Sequence, residues 1–133
     1  MPLETVIPSQ SGAAGQAMAQ AAARAALADR RIVCLVVRQL TAELLGAVGD
    51  RAQVRRARRR ANCHVRQIAI YVCHVAFSMS YGEIAEALRL DRTTVSHACH
   101  VVEDRRDDPG FDSFVSTIER LAETVCMVTG RPA

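Results

Sequence analysis

Apolar positions recur with helical spacing through most of the chain, and no segment alternates with the two-residue period of a half-buried strand. The apolar series over residues 32–48 predicts a helix that ends near Ala47 and begins at either Gln16 or Ala28. Residues 16–30 are rich in alanine and fit either start, so the pattern leaves open whether they are helical.

Four further helices are expected downstream. The second helix is predicted over Cys63–Ser78 from one apolar stripe, which consists of Ile68, Val72, Val75, Ala76 and Met79. Ser80 and Glu83 then have the spacing of a capping box that opens a short helix over residues 81–87. A helix capped by Asp91 follows to residue 105, and a last amphipathic helix begins near residue 111.

Composition agrees with one all-α domain. Of the 133 residues, 50% are hydrophobic but only 4% are aromatic, so the core is expected to be aliphatic. We predict a disordered tail over residues 1–15, a multi-helix bundle over 16–128 and a short tail over 129–133. No apolar run has the length of a membrane span and no secretory signal is recognisable, which favours a cytoplasmic protein.

The basic residues are unevenly distributed. All 17 are arginine, and seven of them lie between residues 51 and 66, where there is no acidic residue. Between residues 103 and 123 seven acidic residues outnumber three arginines. Because arginine binds phosphate and guanine through two parallel hydrogen bonds, a dense run of one sign favours a polyanionic partner such as nucleic acid.

The short helix over residues 81–87, a tight turn and the helix over 91–105 form the arrangement of a helix-turn-helix. In that arrangement the amino end of the second helix enters the major groove. The side chains predicted to face the groove are Arg92, Thr93, Ser96, His97 and His100, with Thr94 at the margin. The alternative for one of the two threonines is that it only caps the first turn.

Three sequence blocks resemble one family. Residues 64–71 (HVRQIAIY), 80–85 (SYGEIA) and 91–99 (DRTTVSHAC) are similar, in order and spacing, to the C-terminal DNA-binding domain of the bacterial replication initiator DnaA. The resemblance is specific over residues 63–104 and implies an all-α, TrpR-like bundle that binds double-stranded DNA. It implies that Arg66 enters the minor groove, and that Asp91, Thr93, Thr94 and His97 lie at the major groove or on adjacent phosphates.

The candidate DNA-binding residues therefore belong to a basic segment, the start of the short helix and the recognition helix, and the complete DNA-binding region is expected over residues 51–106. They are Arg55, Arg56, Arg58, Arg59, Arg60, Arg66, Gln67, Ser80, Asp91, Arg92, Thr93, Thr94, Ser96, His97 and His100.

Several positions depart from the family pattern. Arg92 stands in place of histidine, Val65 in place of proline, Arg89 in place of a glycine in the turn, and His100 in place of a basic residue. We therefore expect a target sequence that differs from the family's site, and Arg89 is expected to change the shape of the turn.

The role expected is a small, nucleoid-associated regulator of transcription or replication, and it is left open whether it represses, activates or competes with a full-length initiator for DNA sites. No phosphate-binding G-x-x-x-x-G-K-[ST] motif is present, and the segment before residue 63 is too short for an ATPase domain. The chain is therefore expected to use no cofactor and not to be an enzyme.

Two alternatives remain. Cysteine precedes histidine at residues 63–64, 73–74 and 99–100, which is compatible with a zinc module, although the absence of a C-x-x-C pair favours no metal. The apolar helix over residues 32–48 is compatible with an adaptor that forms a homodimer or binds another protein.

Overall fold

The computed structural model describes residues 7–48 and 58–129, with side chains described over 12–47 and 64–129. In these ranges every regular element is a helix, which confirms the all-α prediction. The helices are α1 (Ile7–Val48), α2 (Arg58–Ala76), α3 (Tyr81–Leu88), α4 (Arg92–Arg105) and α5 (Pro109–Val128).

Helix α1 is longer than predicted. It includes residues 7–15, where the sequence predicts a disordered tail, and it answers the open question about residues 16–30, which are helical. The reason is that alanine and glutamine are good helix formers, and Pro8 lies in the first turn, where its missing N–H is tolerated. The first part of α1 is nevertheless exposed throughout residues 12–25, so its helicity does not come from packing against the bundle.

Helix α2 is the centre of the bundle, since it packs against all four other helices. Six consecutive residues, 68–73, are buried. A helix enclosed by neighbours on every side buries its whole circumference rather than one stripe. The predicted stripe therefore understated the burial of α2 in its middle.

The end of α2 differs from the prediction in two respects. The helix ends at Ala76 because Ser78 adopts a left-handed conformation (φ 55°), and the Met79 N–H then donates to the Cys73 carbonyl at 3.3 Å across the end of the helix. Val75, predicted to lie in the core, is 47% exposed, because it lies in the last turn and faces away from the neighbouring helices.

Helix α3 begins with the predicted capping box. The Glu83 N–H donates to Ser80 Oγ at 3.1 Å, and the Ser80 N–H donates to Glu83 Oε1 at 2.9 Å.

Replacing Ser80 by alanine is expected to lower the free energy of unfolding by about 1 kcal/mol, because one first-turn amide loses its acceptor. Urea denaturation measures this loss.

The reciprocal bond gives a pH dependence. Hydrogen bonds from the Ser80 N–H and hydroxyl lower the pKa of Glu83 below its ordinary value of 4.5. The stabilisation is therefore present above that value and lost as the pH falls through the folded-state pKa. In Glu83→Gln this acid-dependent part of the stability should disappear, whereas an unchanged acid profile would show that the capping box contributes nothing.

Arg106 fixes the corner between α4 and α5. Its Nε donates to Asp112 at 2.6 Å, its Nη1 to Glu119 at 2.6 Å and its Nη2 to Ser116 at 2.9 Å. Burial opposes the charge, but the hydrogen bonds, that to Asp112 first, outweigh burial and raise the pKa of Arg106. Part of the acidic run near the carboxyl end of the chain is therefore used to hold one arginine inside the fold.

The same arginine connects the corner to the central helix. Arg106 Nη1 donates to the Tyr71 hydroxyl at 3.2 Å, and that hydroxyl donates to Glu103 on α4. Burial, followed by the bond to Glu103, raises the pKa of Tyr71, so the phenol remains a donor at neutral pH. The network ties α2, α4 and α5 together and fixes how α4 is presented.

Candidate nucleic-acid interface

The turn between α3 and α4 is stabilised by backbone hydrogen bonds. Arg89 adopts the left-handed conformation (φ 55°, ψ 50°), and its N–H donates to the Ala85 carbonyl. The Leu90 N–H donates to the same carbonyl at 2.9 Å. Arg89 thus occupies the conformation that glycine adopts most readily, at a cost of about 1 kcal/mol. Arg89 can therefore occupy this position of the turn in the backbone conformation that a glycine would adopt there, so the arginine does not by itself force the turn into a different shape.

The amino end of α4 leaves its polar groups unused. Asp91 occupies the predicted N-cap position, but its side chain makes no capping hydrogen bond, so this part of the prediction is wrong. Neither Thr93 nor Thr94 makes a side-chain hydrogen bond within the described residues, so capping does not explain them. The first-turn N–H groups and these side chains are therefore available to a phosphate or a base edge.

The predicted groove-facing side chains lie on the outer side of α4. Asp91, Arg92, Thr93, His97 and His100 are exposed, and Thr94 and Ser96 are half-buried. The opposite side of α4 packs into the core through Val95, Ala98, Cys99 and Val102. This separation gives one polar surface at the end of α4 that follows the turn.

His100 is held in a defined orientation. Its Nδ1–H donates to the Ser96 carbonyl at 2.7 Å, since a carbonyl can only accept. The other ring nitrogen, Nε2, has no partner within the described residues. The His100 ring is therefore held in one orientation, whereas His97, one turn earlier, has no hydrogen-bonding partner within the described residues.

Arg66 lies beside the turn that precedes α4. It lines a pocket of about 250 Å³ together with Arg38 of α1 and with Leu88 and Leu90 of the turn. Leu90 directly precedes Asp91 in the sequence. The structure therefore brings the minor-groove candidate close to the start of the recognition helix, although the two are 25 positions apart.

The remaining candidates are only partly described. Gln67 is half-buried next to Arg66, and Ser80 is exposed, with its hydroxyl oxygen engaged as the cap acceptor of the Glu83 N–H. Arg58, Arg59 and Arg60 form the first turn of α2, but their side chains lie outside the described residues. Arg55 and Arg56 lie wholly outside the described ranges.

The arginines near α4 differ from Arg30 and Arg106, which form ion pairs with acidic side chains. Within the described residues, Arg38, Arg66, Arg89 and Arg92 form no ion pair. Their charges are therefore not neutralised by the protein. Arg38 and Arg89 were not among the sequence candidates, since Arg38 lies about 30 residues before Arg66 and only the folded chain shows that it lines the same pocket.

In the two cysteine–histidine pairs whose side chains are both described, at residues 73–74 and 99–100, the cysteine is buried and the histidine is more exposed. Cys73 and Cys99 are buried, and burial raises the pKa of the Cys99 thiol to about 11. His74 Nδ1 instead hydrogen-bonds the Met79 carbonyl at 2.7 Å. In the described part of the chain no three histidine, cysteine or acidic side chains are placed to hold a metal ion.

Residues 51–102 match the family described as bacterial dnaA protein helix-turn-helix. No curated protein and no solved structure matches the chain. None of the helices in the described ranges is long and apolar enough to cross a membrane. The matched range contains the whole basic segment over residues 51–66, helices α2 and α3, and most of α4. The chain thus carries, over residues 51–102, a DNA-binding helix-turn-helix domain of the bacterial DnaA type.

Proposed function

We propose that the protein is a sequence-specific regulator of transcription or replication, which binds double-stranded DNA without catalysing a reaction. In this proposal α4 lies in the major groove, and the basic segment over residues 51–66 contacts phosphates and the minor groove. The observation that carries the proposal is the set of unengaged polar groups at the amino end of α4. In a helix-turn-helix these groups are the ones that reach base edges.

The chemistry of these side chains suits base recognition. Arg92 can donate two parallel hydrogen bonds, which match O6 and N7 of guanine. The Asp91 carboxylate, which makes no capping hydrogen bond, can accept from the amino group of cytosine. The methyl groups of Thr93 and Thr94 suit the thymine methyl group. Because Arg92 replaces the family's histidine, the proposed site differs from that of a full-length initiator in at least one base pair.

A selection from random duplexes tests the proposal. Sequence-specific binding predicts one enriched motif, and recovery of unenriched sequences would contradict it. A motif that overlaps the site of a full-length initiator would favour competition at replication sites, whereas an unrelated motif would favour control of transcription.

Salt dependence measures the contribution of the basic segment. If four to six arginines between residues 51 and 66 each neutralise a phosphate, log Kd plotted against log salt concentration is expected to change with a slope of about 4 to 5. Fluorescence anisotropy with a labelled duplex gives this slope. A slope near 1 would show that the basic segment does not follow the phosphate backbone.

A further inference from the structure

Helix α1 has a second apolar face that the bundle does not cover. Its inner face packs into the core through Val33, Cys34, Val37 and Thr41. On the outer face, Met18 is 74%, Ile32 39% and Leu35 50% exposed. The apolar residues of the segment over 32–48 are thus divided between two faces, and only the inner one belongs to the domain.

The outer face follows a seven-residue repeat. The seam, defined as the a and d positions of this repeat, consists of Met18, Ala21, Ala25, Ala28, Ile32, Leu35, Gln39 and Ala42, all of which are exposed. Seven of the eight are apolar, over about three and a half heptads. An apolar seam with this period is typical of a helix that pairs with another helix. Ile32 at an a position and Leu35 at a d position are the combination that favours two parallel strands.

The charges beside the seam identify the partner. Arg24, Arg31 and Arg38 occupy the g positions on one side, and Asp29 and Glu43 occupy e positions on the other. In a parallel pair of identical helices each g residue faces the e residue five positions later in its partner, so Arg24 faces Asp29 and Arg38 faces Glu43. An antiparallel pair would place arginine against arginine. Glu43 uses Oε1 to accept from Gln39 at 2.8 Å, which leaves Oε2 for a partner arginine.

The exposed amino half of α1 gives a further reason to expect that this helix packs against another helix. Residues 12–25 are helical but exposed throughout, and a helix of this length is only marginally stable without packing. We propose that two copies of this chain form a parallel dimer through the α1 seam. The partner helix then supplies the packing that the bundle does not give to this half of α1.

Sedimentation equilibrium over a wide range of micromolar concentrations tests the dimer. The wild-type chain is expected at twice its 14.5 kDa, and Leu35→Glu at the monomer mass, because two carboxylates would face each other in the seam. Ala23→Glu is the matched control, since Ala23 is exposed on the same helix but outside the seam. Circular dichroism verifies that both variants are folded.

Charge exchange tests the parallel orientation. Arg38→Glu and Glu43→Arg are each expected to raise the dimer Kd several-fold, and the double variant to restore it. A monomeric wild type, a dimer that Leu35→Glu leaves intact, or a double variant no tighter than the single ones would overturn the proposal. The measurement contains no DNA, so its failure would leave the proposed DNA-binding function unaffected.

Discussion

Replacing Arg66 by alanine is expected to weaken duplex binding about ten- to one-hundred-fold, and Arg66→Ala combined with Thr94→Ala to abolish it. Arg66 is the arginine of the basic segment whose side chain the structure describes, and it lines the same pocket as Leu90, directly before Asp91. Its guanidinium has no ion-pair partner within the described residues, so its full charge is available to DNA. A well-placed arginine in a DNA interface contributes about 1–3 kcal/mol.

The control for this change is Arg120→Ala. Arg120 is exposed on α5 and donates to Thr117 at 3.3 Å, so its replacement removes the same charge from a helix that carries none of the candidate DNA-binding residues. Binding by anisotropy at one salt concentration should be nearly unchanged in this variant. Equal losses in the two variants would mean that Arg66 contributes only to the net charge.

Replacing Arg106 by alanine is expected to lower the free energy of unfolding by roughly 2–4 kcal/mol, the largest loss among the polar substitutions considered. The change removes ion pairs with Asp112 and Glu119 and leaves these carboxylates facing a vacated, partly buried site. The expected fall in melting temperature is on the order of 10 °C. Thermal unfolding followed by circular dichroism measures it.

Arg120→Ala again serves as the reference, since it removes an exposed arginine from α5, the helix whose acidic side chains hold Arg106, with an expected effect within about 0.5 kcal/mol. Arg106→Lys distinguishes geometry from charge. Lysine keeps the charge, but its single nitrogen cannot reproduce the hydrogen bonds that three guanidinium nitrogens donate to four acceptors, so most of the loss should persist. Full rescue by lysine would show that the network acts through charge alone.

The sequence predicted the helix-turn-helix well because its signals are local. The Ser80–Glu83 capping box, the apolar positions of α4 and the Asp91 position each depend on a few neighbouring residues, and the structure confirms them. The missing Asp91 cap bond was not predictable, because it depends on the side-chain conformation rather than on residue type.

Most of the features of the fold and of the site that the sequence did not predict depend on tertiary contacts. Burial of α2 around its whole circumference arises from four neighbouring helices, which a single apolar stripe cannot indicate. The position of Arg38 beside Arg66 requires α1 to pack against α2 at one particular register. The helical start of α1 was missed because the prolines and glycines of residues 1–15 outweighed the alanines in the prediction.

The central claim is that the amino end of α4 contacts the bases, supported by Arg66. The most direct measurement is the amide correlation spectrum of the labelled chain with and without its selected duplex. The largest shifts are expected on residues 91–97 and on Arg66. Shifts confined to α5 or to the seam of α1, with residues 91–97 unchanged, would contradict it.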